Sequence, residues 1–301
     1  MQPDKALTGR LKTDEAVDLR QAAVEDWDTE LKPQESILHF HFKDVWQYRD
    51  LLWLLVRRDV VSFYKQTIFG PIWFFVQPIF TTIIYVFIFG RMAKISPPDV
   101  PAPLFFLTGI VAWNYFSECL TKTSTVFKDN SAIFGKVYFP RLIMPLSIIV
   151  SNLVKFGVQL LLLALMLAWF VFKGQAHPNL YILSFPIIVL LMALQGLGWG
   201  LLVTALTTKY RDLAFLVAFG VQLAMYATPV VYPLSATPAA FYNIIRFNPL
   251  SGLIETFRHG ITGSGHFYAF EFWYSAAASV VIFMIGLIVF NKVEKNFVDT
   301  V

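Results

Sequence analysis

Charge is scarce in this chain. Asp, Glu, Lys and Arg make up 15% of its 301 residues, where an ordinary soluble domain carries roughly 25%. Apolar side chains take their place: 56% of the residues are hydrophobic and the mean hydropathy is +0.59. One globular core cannot hide that excess, which excludes an ordinary soluble domain and points to an integral membrane protein. Cysteine is almost missing too. Cys119 stands alone, so an intrachain disulfide framework and a multi-cysteine zinc site are excluded. The net charge of +4 is too diffuse to suggest nucleic acid as a partner.

The usual catalytic signatures are also lacking. A phosphate-binding loop needs glycine-rich backbone followed by Lys and then Ser or Thr. Here the one Gly-Lys pair, Gly135-Lys136, is followed by Val137 and preceded at the required distance by Asn130. The chain is therefore not expected to hydrolyse ATP by itself. It has no Gly-x-Ser-x-Gly elbow and no His-Glu-x-x-His helix. His39 and His41 could share one side of a strand, yet two ligands without a third read as ordinary polar residues, and no metal site is expected.

What the chain does have is length of apolar sequence. Six runs come near the ~20 residues that a helix needs to cross ~30 Å of hydrocarbon: Ile72 to Phe89, Leu104 to Leu120, Leu142 to Phe172, Leu180 to Thr207, Leu213 to Leu234 and Phe272 to Phe290. The fold class expected is all-α and membrane-integral, with six transmembrane helices. With the N-terminus cytosolic, the inner flanks hold twelve Lys and Arg residues and the outer loops five, namely Arg91, Lys94, Lys173, Arg246 and Arg258. That asymmetry places both termini inside. The acidic, polar start of the chain does not read as a signal peptide. Residues 1–43 are expected to form a flexible cytosolic tail, 44–66 an amphipathic interface helix and 67–301 the transmembrane domain. Between the fifth and sixth runs, the apolar stretch Phe241 to Ile254 is too short to cross, so short re-entrant or surface-lying helices are expected there.

The interface helix, Val45 to Gln66, gathers Val45, Trp46, Trp53, Val56, Val60 and Phe63 on one side of a 3.6-residue wheel and Arg58, Ser62 and Lys65 on the other. Leu51, Leu54 and Leu55 interrupt the polar side, which predicts partial cover by protein. A plain surface anchor and a lever at a subunit interface both fit this pattern.

Several segments carry a more specific signal: WQYRDLLW over residues 46–53, YKQTIFGPIW over 64–73, GIVAWNYF over 109–116, FGKVYFPRLIMP over 134–145 and KYRD over 209–212. They resemble the ABC-2 type permeases of polysaccharide exporters, those for lipid-linked O-antigen first and those for capsule and teichoic acid next. The resemblance covers residues 44 to 301. It implies a homodimer in the inner membrane with a channel between the subunits, served by two cytosolic ABC ATPase subunits. ATP and Mg would bind to that ATPase and no cofactor to this chain. The substrate implied is a lipid-linked polysaccharide. By the same resemblance the loop Lys122 to Arg141 is where ATPase movement enters, which makes Lys128, Phe134, Lys136, Tyr138, Phe139 and Arg141, with Arg211 and Asp212, the candidate coupling residues. Setting topology through anionic lipid is another use of the same charges.

Two further sets of residues follow from spacing. Phe215, Phe219, Gln222 and Tyr226 recur at helical steps on the fifth run, as do Gln77, Thr81 and Tyr85 on the first, one turn after Trp73. With Trp113 and Tyr115 of the second run they form a candidate sugar path, since rings pack on sugar C–H patches while amides and hydroxyls exchange hydrogen bonds. Ordinary packing and interfacial belts account for the same residues in the plainer reading. Glu118 and Lys155 fall within roughly 10 Å of the same depth and are expected to pair inside the membrane, against separate snorkelling or channel-facing positions, or a proton relay. A drug or small-lipid exporter, a multi-span glycosyl- or acyltransferase and a secondary transporter remain as other function classes.

Overall fold

The computed structural model describes residues 42–65, 70–134, 139–210 and 212–297. Residues 1–41, with His39 and His41, lie outside the described residues, and so do Lys136, Tyr138 and Arg211. The described chain is all-helical, with no strand.

Two short helices open it, α1 (Phe42–Gln47) and α2 (Arg49–Tyr64), broken at Tyr48 where a single helix was expected. The predicted apolar side is divided. Leu55 and Val56 are buried, and Leu51 and Leu52 pack beside them, whereas Trp46 and Trp53 remain exposed. Leu51 and Leu55 thus meet protein, as their interruption of the polar side predicted, whereas Leu54, named with them, is 62% exposed. The two indoles, seven residues apart, share a stripe with exposed Arg57, a composition suited to the level of lipid headgroups.

Among the described residues, four segments are long and apolar enough to cross a membrane: Trp73–Met92, Ile143–Phe172, Leu180–Lys209 and Ala269–Lys292. The first joins α3 (Trp73–Tyr85), which contains Pro78, to a π-helical stretch Val86–Met92. The second is α5 (Ile143–Phe172), whose 30 residues span about 45 Å and exceed the hydrocarbon thickness unless tilted. The third ends in α6 (Phe185–Lys209), and the fourth lies in α10 (Ala269–Phe297).

Two expected spans look different. The second became α4 (Ala102–Ser124), a 23-residue helix with 16 residues buried. It is long enough to cross, but it carries Thr108, Asn114, Glu118 and Lys122, because its sides face other helices rather than lipid. The fifth run folds as α7 (Leu213–Ala224), only 12 residues or about 18 Å. Turns from Met225 to Val230 replace the rest. Pro229 explains the stop, since it lacks an N–H and disfavours helical geometry at Thr228. The following α8 (Ala239–Arg246) and α9 (Ser251–Thr262) are too short to cross, and α9 has 10 of 12 residues buried. Gly263, left-handed at φ 70°, ends α9 by donating its N–H to the His259 carbonyl.

The centre is α6 held between α4 and α10. A Cβ on Gly196 would strike Cys119 of α4, and one on Gly286 of α10 would lie 2.5 Å from the Gly198 carbonyl oxygen. Small residues let these backbones approach, and hydroxyls then bridge them. Thr204 donates to the Thr123 carbonyl at 2.7 Å, Thr207 to that of Ser124, and Gln195 Nε2 to Ser279 Oγ at 2.8 Å.

The two ends of the bundle are distinct. At one, Leu55 of α2, Phe127 and Phe139 of the loop after α4, Met144, Leu201 and Phe290 form one apolar cluster. At the other, Val100, Phe105 and Val231 form a second. The N-terminal helices, the loop between α4 and α5 and the end of α10 therefore gather together.

Candidate substrate path and coupling sites

The face predicted on the fifth run is uncovered. Phe215 is 78% exposed, Phe219 58% and Tyr226 51%, and Gln222 lies exposed between them. On α3, Trp73 and Gln77 are exposed, while Thr81 and Tyr85 are half-buried. These two strips flank α4 and converge at one end. There the Tyr85 hydroxyl donates to Met225 Sδ at 3.6 Å, with Tyr226 alongside. At the opposite end Phe215 lies 6.0 Å from the Lys128 ammonium. The strip on α7 and its following turn thus runs from the loop between α4 and α5 to the far cluster.

Trp113 and Tyr115 are a correction. They are buried at 4% and 3% and line no exposed surface. Tyr115 packs on Phe156 at 4.8 Å between ring centroids and Trp113 on Phe116 at 5.5 Å. Both sit on the enclosed helix, where ring size fills core volume. The plainer packing reading accounts for them.

Glu118 and Lys155 meet: Lys155 Nζ donates to Glu118 Oε2 at 2.7 Å. Sequence reasoning missed the rest of this site. Lys122, one turn along α4, lies 3.8 Å from the same oxygen. Both ammonium groups stand over the Phe63 ring of α2, at 3.9 Å for Lys155 and 4.6 Å for Lys122, and Lys155 also approaches Phe74 of α3 at 5.7 Å. The ring faces offset part of the surplus positive charge. One carboxylate, two lysines and two rings therefore tie the interface helix to α3, α4 and α5. The spacing of Glu118 and Lys122 at i and i+4 was a signal available in the sequence.

The coupling candidates divide. Lys128 is exposed, whereas Phe139 is 5% exposed and buried with Leu55, Phe127 and Phe290, so it anchors the loop from within. Arg141 has its guanidinium 6.0 Å from the Phe127 ring. Phe134 ends the short helix Ser131–Phe134. Asp212 precedes α7, is exposed and makes no capping hydrogen bond, which leaves its carboxylate available on this face.

The far end holds a second charged site that charge counting reduced to one outer arginine. Arg258 on α9 is almost fully buried. Its Nη2 donates to the Pro229 and Val230 carbonyls at 2.9 Å, its Nη1 to Glu255 Oε1 at 2.7 Å, and its guanidinium lies 4.0 Å over Phe105. Burial pushes the Glu255 carboxyl up, opposed by the charge of Arg258. A Cβ on Gly109 of α4 would sit 2.6 Å from the Val230 carbonyl, so that glycine admits the turn which Arg258 clamps. Beside this pair opens a cavity of about 440 Å³ between the 95–100 loop, the 233–236 turn, α9 and the 264–268 segment.

Among known families, the ABC-2 type transporter family matches residues 50–262. An O-antigen export system permease protein RfbA of Klebsiella pneumoniae is 29% identical over 255 residues, covering 83% of this chain and 94% of that protein. The protein of the same name from Myxococcus xanthus is 28% identical over 267 residues, with 86% and 98% covered. The polysialic acid transport protein KpsM of Escherichia coli is 20% identical over 246 residues, with 80% and 92% covered.

Proposed function

Because this chain belongs to the ABC-2 type transporter family, we propose that it is the membrane subunit of an ATP-driven exporter that moves a lipid-linked polysaccharide of O-antigen type out of the cytosol. ATP hydrolysis then belongs to a separate ABC ATPase. Two copies of this chain pair with two copies of the ATPase in the inner membrane, with both termini cytosolic.

The observation that carries this reading is the uncovered strip Phe215, Phe219, Gln222 and Tyr226, which a lone subunit leaves open along one side. A second copy facing it closes a conduit lined by rings and an amide. Such a lining packs against sugar rings while holding none tightly, as successive units of a polymer require. Three features support six crossings per subunit. Four segments have sufficient length and hydropathy, α4 has sufficient length with its polar groups turned to protein, and α7 with its turn joins the two ends. The 1–43 tail, 44–66 interface element and 67–301 membrane domain fit this arrangement.

Force from the ATPase enters through Lys128, Phe134, Lys136, Tyr138, Phe139 and Arg141, with Arg211 and Asp212 beside them. The Glu118, Lys122 and Lys155 site passes it from α2 to three spans. A strain whose gene for this chain is deleted should lose its surface polysaccharide and accumulate lipid-linked glycan on the cytosolic face of the inner membrane. Unchanged surface glycan in that strain refutes the reading. Resistance to a drug lost in its place favours export of a small molecule.

A further inference from the structure

The far-end cavity combines a mainly apolar wall with several hydrogen-bonding side chains that find no partner among the described residues. Its floor is pinned by the Arg258 guanidinium, which donates to the Glu255 carboxylate and to the two turn carbonyls, while its buried Nε has no partner among the described residues. His259 is likewise occupied. A carbonyl can only accept, so Nδ1–H donates to Ser264 O at 3.1 Å and Nε2 accepts from Asn179 Nδ2 at 3.1 Å. Around this floor stand Ser96, Asp99, Ser235, His266 and Tyr268, whose side chains make no hydrogen bond among the described residues. Pro97, Pro98 and Pro233 wall the same space, fixing their φ angles and presenting rigid C–H faces.

We infer that this cavity is a resting site for one or two sugar units of the polymer as they leave the path, an inference that rests on the export reading above. Its volume of about 440 Å³ lies within the ~300–1,000 Å³ of small-molecule sites. The lining suits hydroxyl-rich ligands: a carboxylate accepts from a pair of hydroxyls, an imidazole and a phenol donate or accept, and proline and Tyr268 faces take the C–H side of a ring. Among the described residues that line it, the one lysine or arginine is Arg258, already paired with Glu255, so a phosphate group finds no free counter-charge there. The 233–236 turn in its wall begins seven residues after Tyr226, and Arg258 clamps the stretch between them at the Pro229 and Val230 carbonyls. A sugar leaving Tyr226 thus has this cavity as its next polar surface.

Photocrosslinking in cells that make the glycan tests the inference, with the full chain and its ATPase. Benzoylphenylalanine replaces Ser235 at the cavity, Gln222 on the strip, or Phe172, which is 89% exposed on the apolar end of α5. The expected result is a glycan adduct from positions 235 and 222 and none from 172. Adding Asp99→Ala with His266→Ala should weaken the adduct at 235 about tenfold through two lost partners and leave that at 222 unchanged. Both loop residues are exposed, so folding is not at stake. An adduct at 222 without one at 235, or one at 235 indifferent to the double substitution, overturns the sugar site and leaves the export reading standing. No adduct at either position, with surface glycan unaffected by deletion of the gene, overturns both.

Discussion

Helices α6 and α7 follow one another in the chain and solve opposite problems. The first is enclosed: glycines set it against α4 and α10, and threonine and glutamine side chains stitch it to both. The second is open, with a face of three rings and one amide that no other described residue covers. Gly220 in α7 has no heavy atom within 4 Å of where a Cβ would stand, while a Cβ at Gly196 or Gly198 of α6 would collide with a neighbour. Two apolar helices therefore pack differently, the enclosed one holding the bundle and the open one leaving a face uncovered among the described residues.

The sharpest way to break this comparison is to add volume to the enclosed side. Gly286→Leu should abolish recovery of folded protein in mild detergent, as overpacking at a backbone contact does at its worst; gel-filtration of a fluorescent fusion reads it. Charge comes next. Glu118→Gln leaves Lys155 and Lys122 side by side without a carboxylate, whereas Lys155→Met leaves Glu118 with Lys122 still 3.8 Å away. Removing one partner of a fully buried pair costs about 3–5 kcal/mol, and partial exposure of Glu118 reduces that here. Glu118→Gln should therefore lower the melting temperature in detergent by several degrees, and more than Lys155→Met does. The reverse order contradicts the shared-carboxylate site.

At the far end, Arg258→Met strips the Pro229 and Val230 carbonyls of their donor and leaves Glu255 buried without its cation. Glu255 should then take up a proton, and Glu255→Gln added to Arg258→Met should recover part of the lost stability. A double variant no more stable than the single one speaks against the clamp. The smallest effect on folding is expected from Gly220→Leu, whose side chain meets open space. A normal yield of that variant sharpens the contrast with Gly286→Leu.

The element plan was largely legible because hydropathy and helical spacing are local properties. Apolar runs gave four membrane-length segments, and the short helices around Phe241 to Ile254 followed from length alone. Misreadings arose where tertiary context decides. Trp113 and Tyr115 have the composition of a sugar-binding surface, but their helix is surrounded, a fact that spacing within one helix does not carry. Leu213 to Leu234 is continuous in hydropathy and broken in structure, since Pro229 acts on backbone geometry rather than on polarity. Glu118 and Lys155 were paired by depth, yet Phe63, which covers the lysines, comes from a helix more than fifty residues earlier. Arg258 looked like one more outer charge until its buried partners were seen.

The central claim is that the open face of α7 guides polysaccharide, and it is tested most directly by export through Gln222→Leu with Tyr226→Leu. The double variant should reach the membrane and co-purify with its ATPase at wild-type levels, because both side chains are exposed and leave the bundle intact. Surface polysaccharide, measured by glycan staining in a strain lacking the native gene, should then fall at least several-fold. Full surface polysaccharide from an assembled double variant would contradict the account.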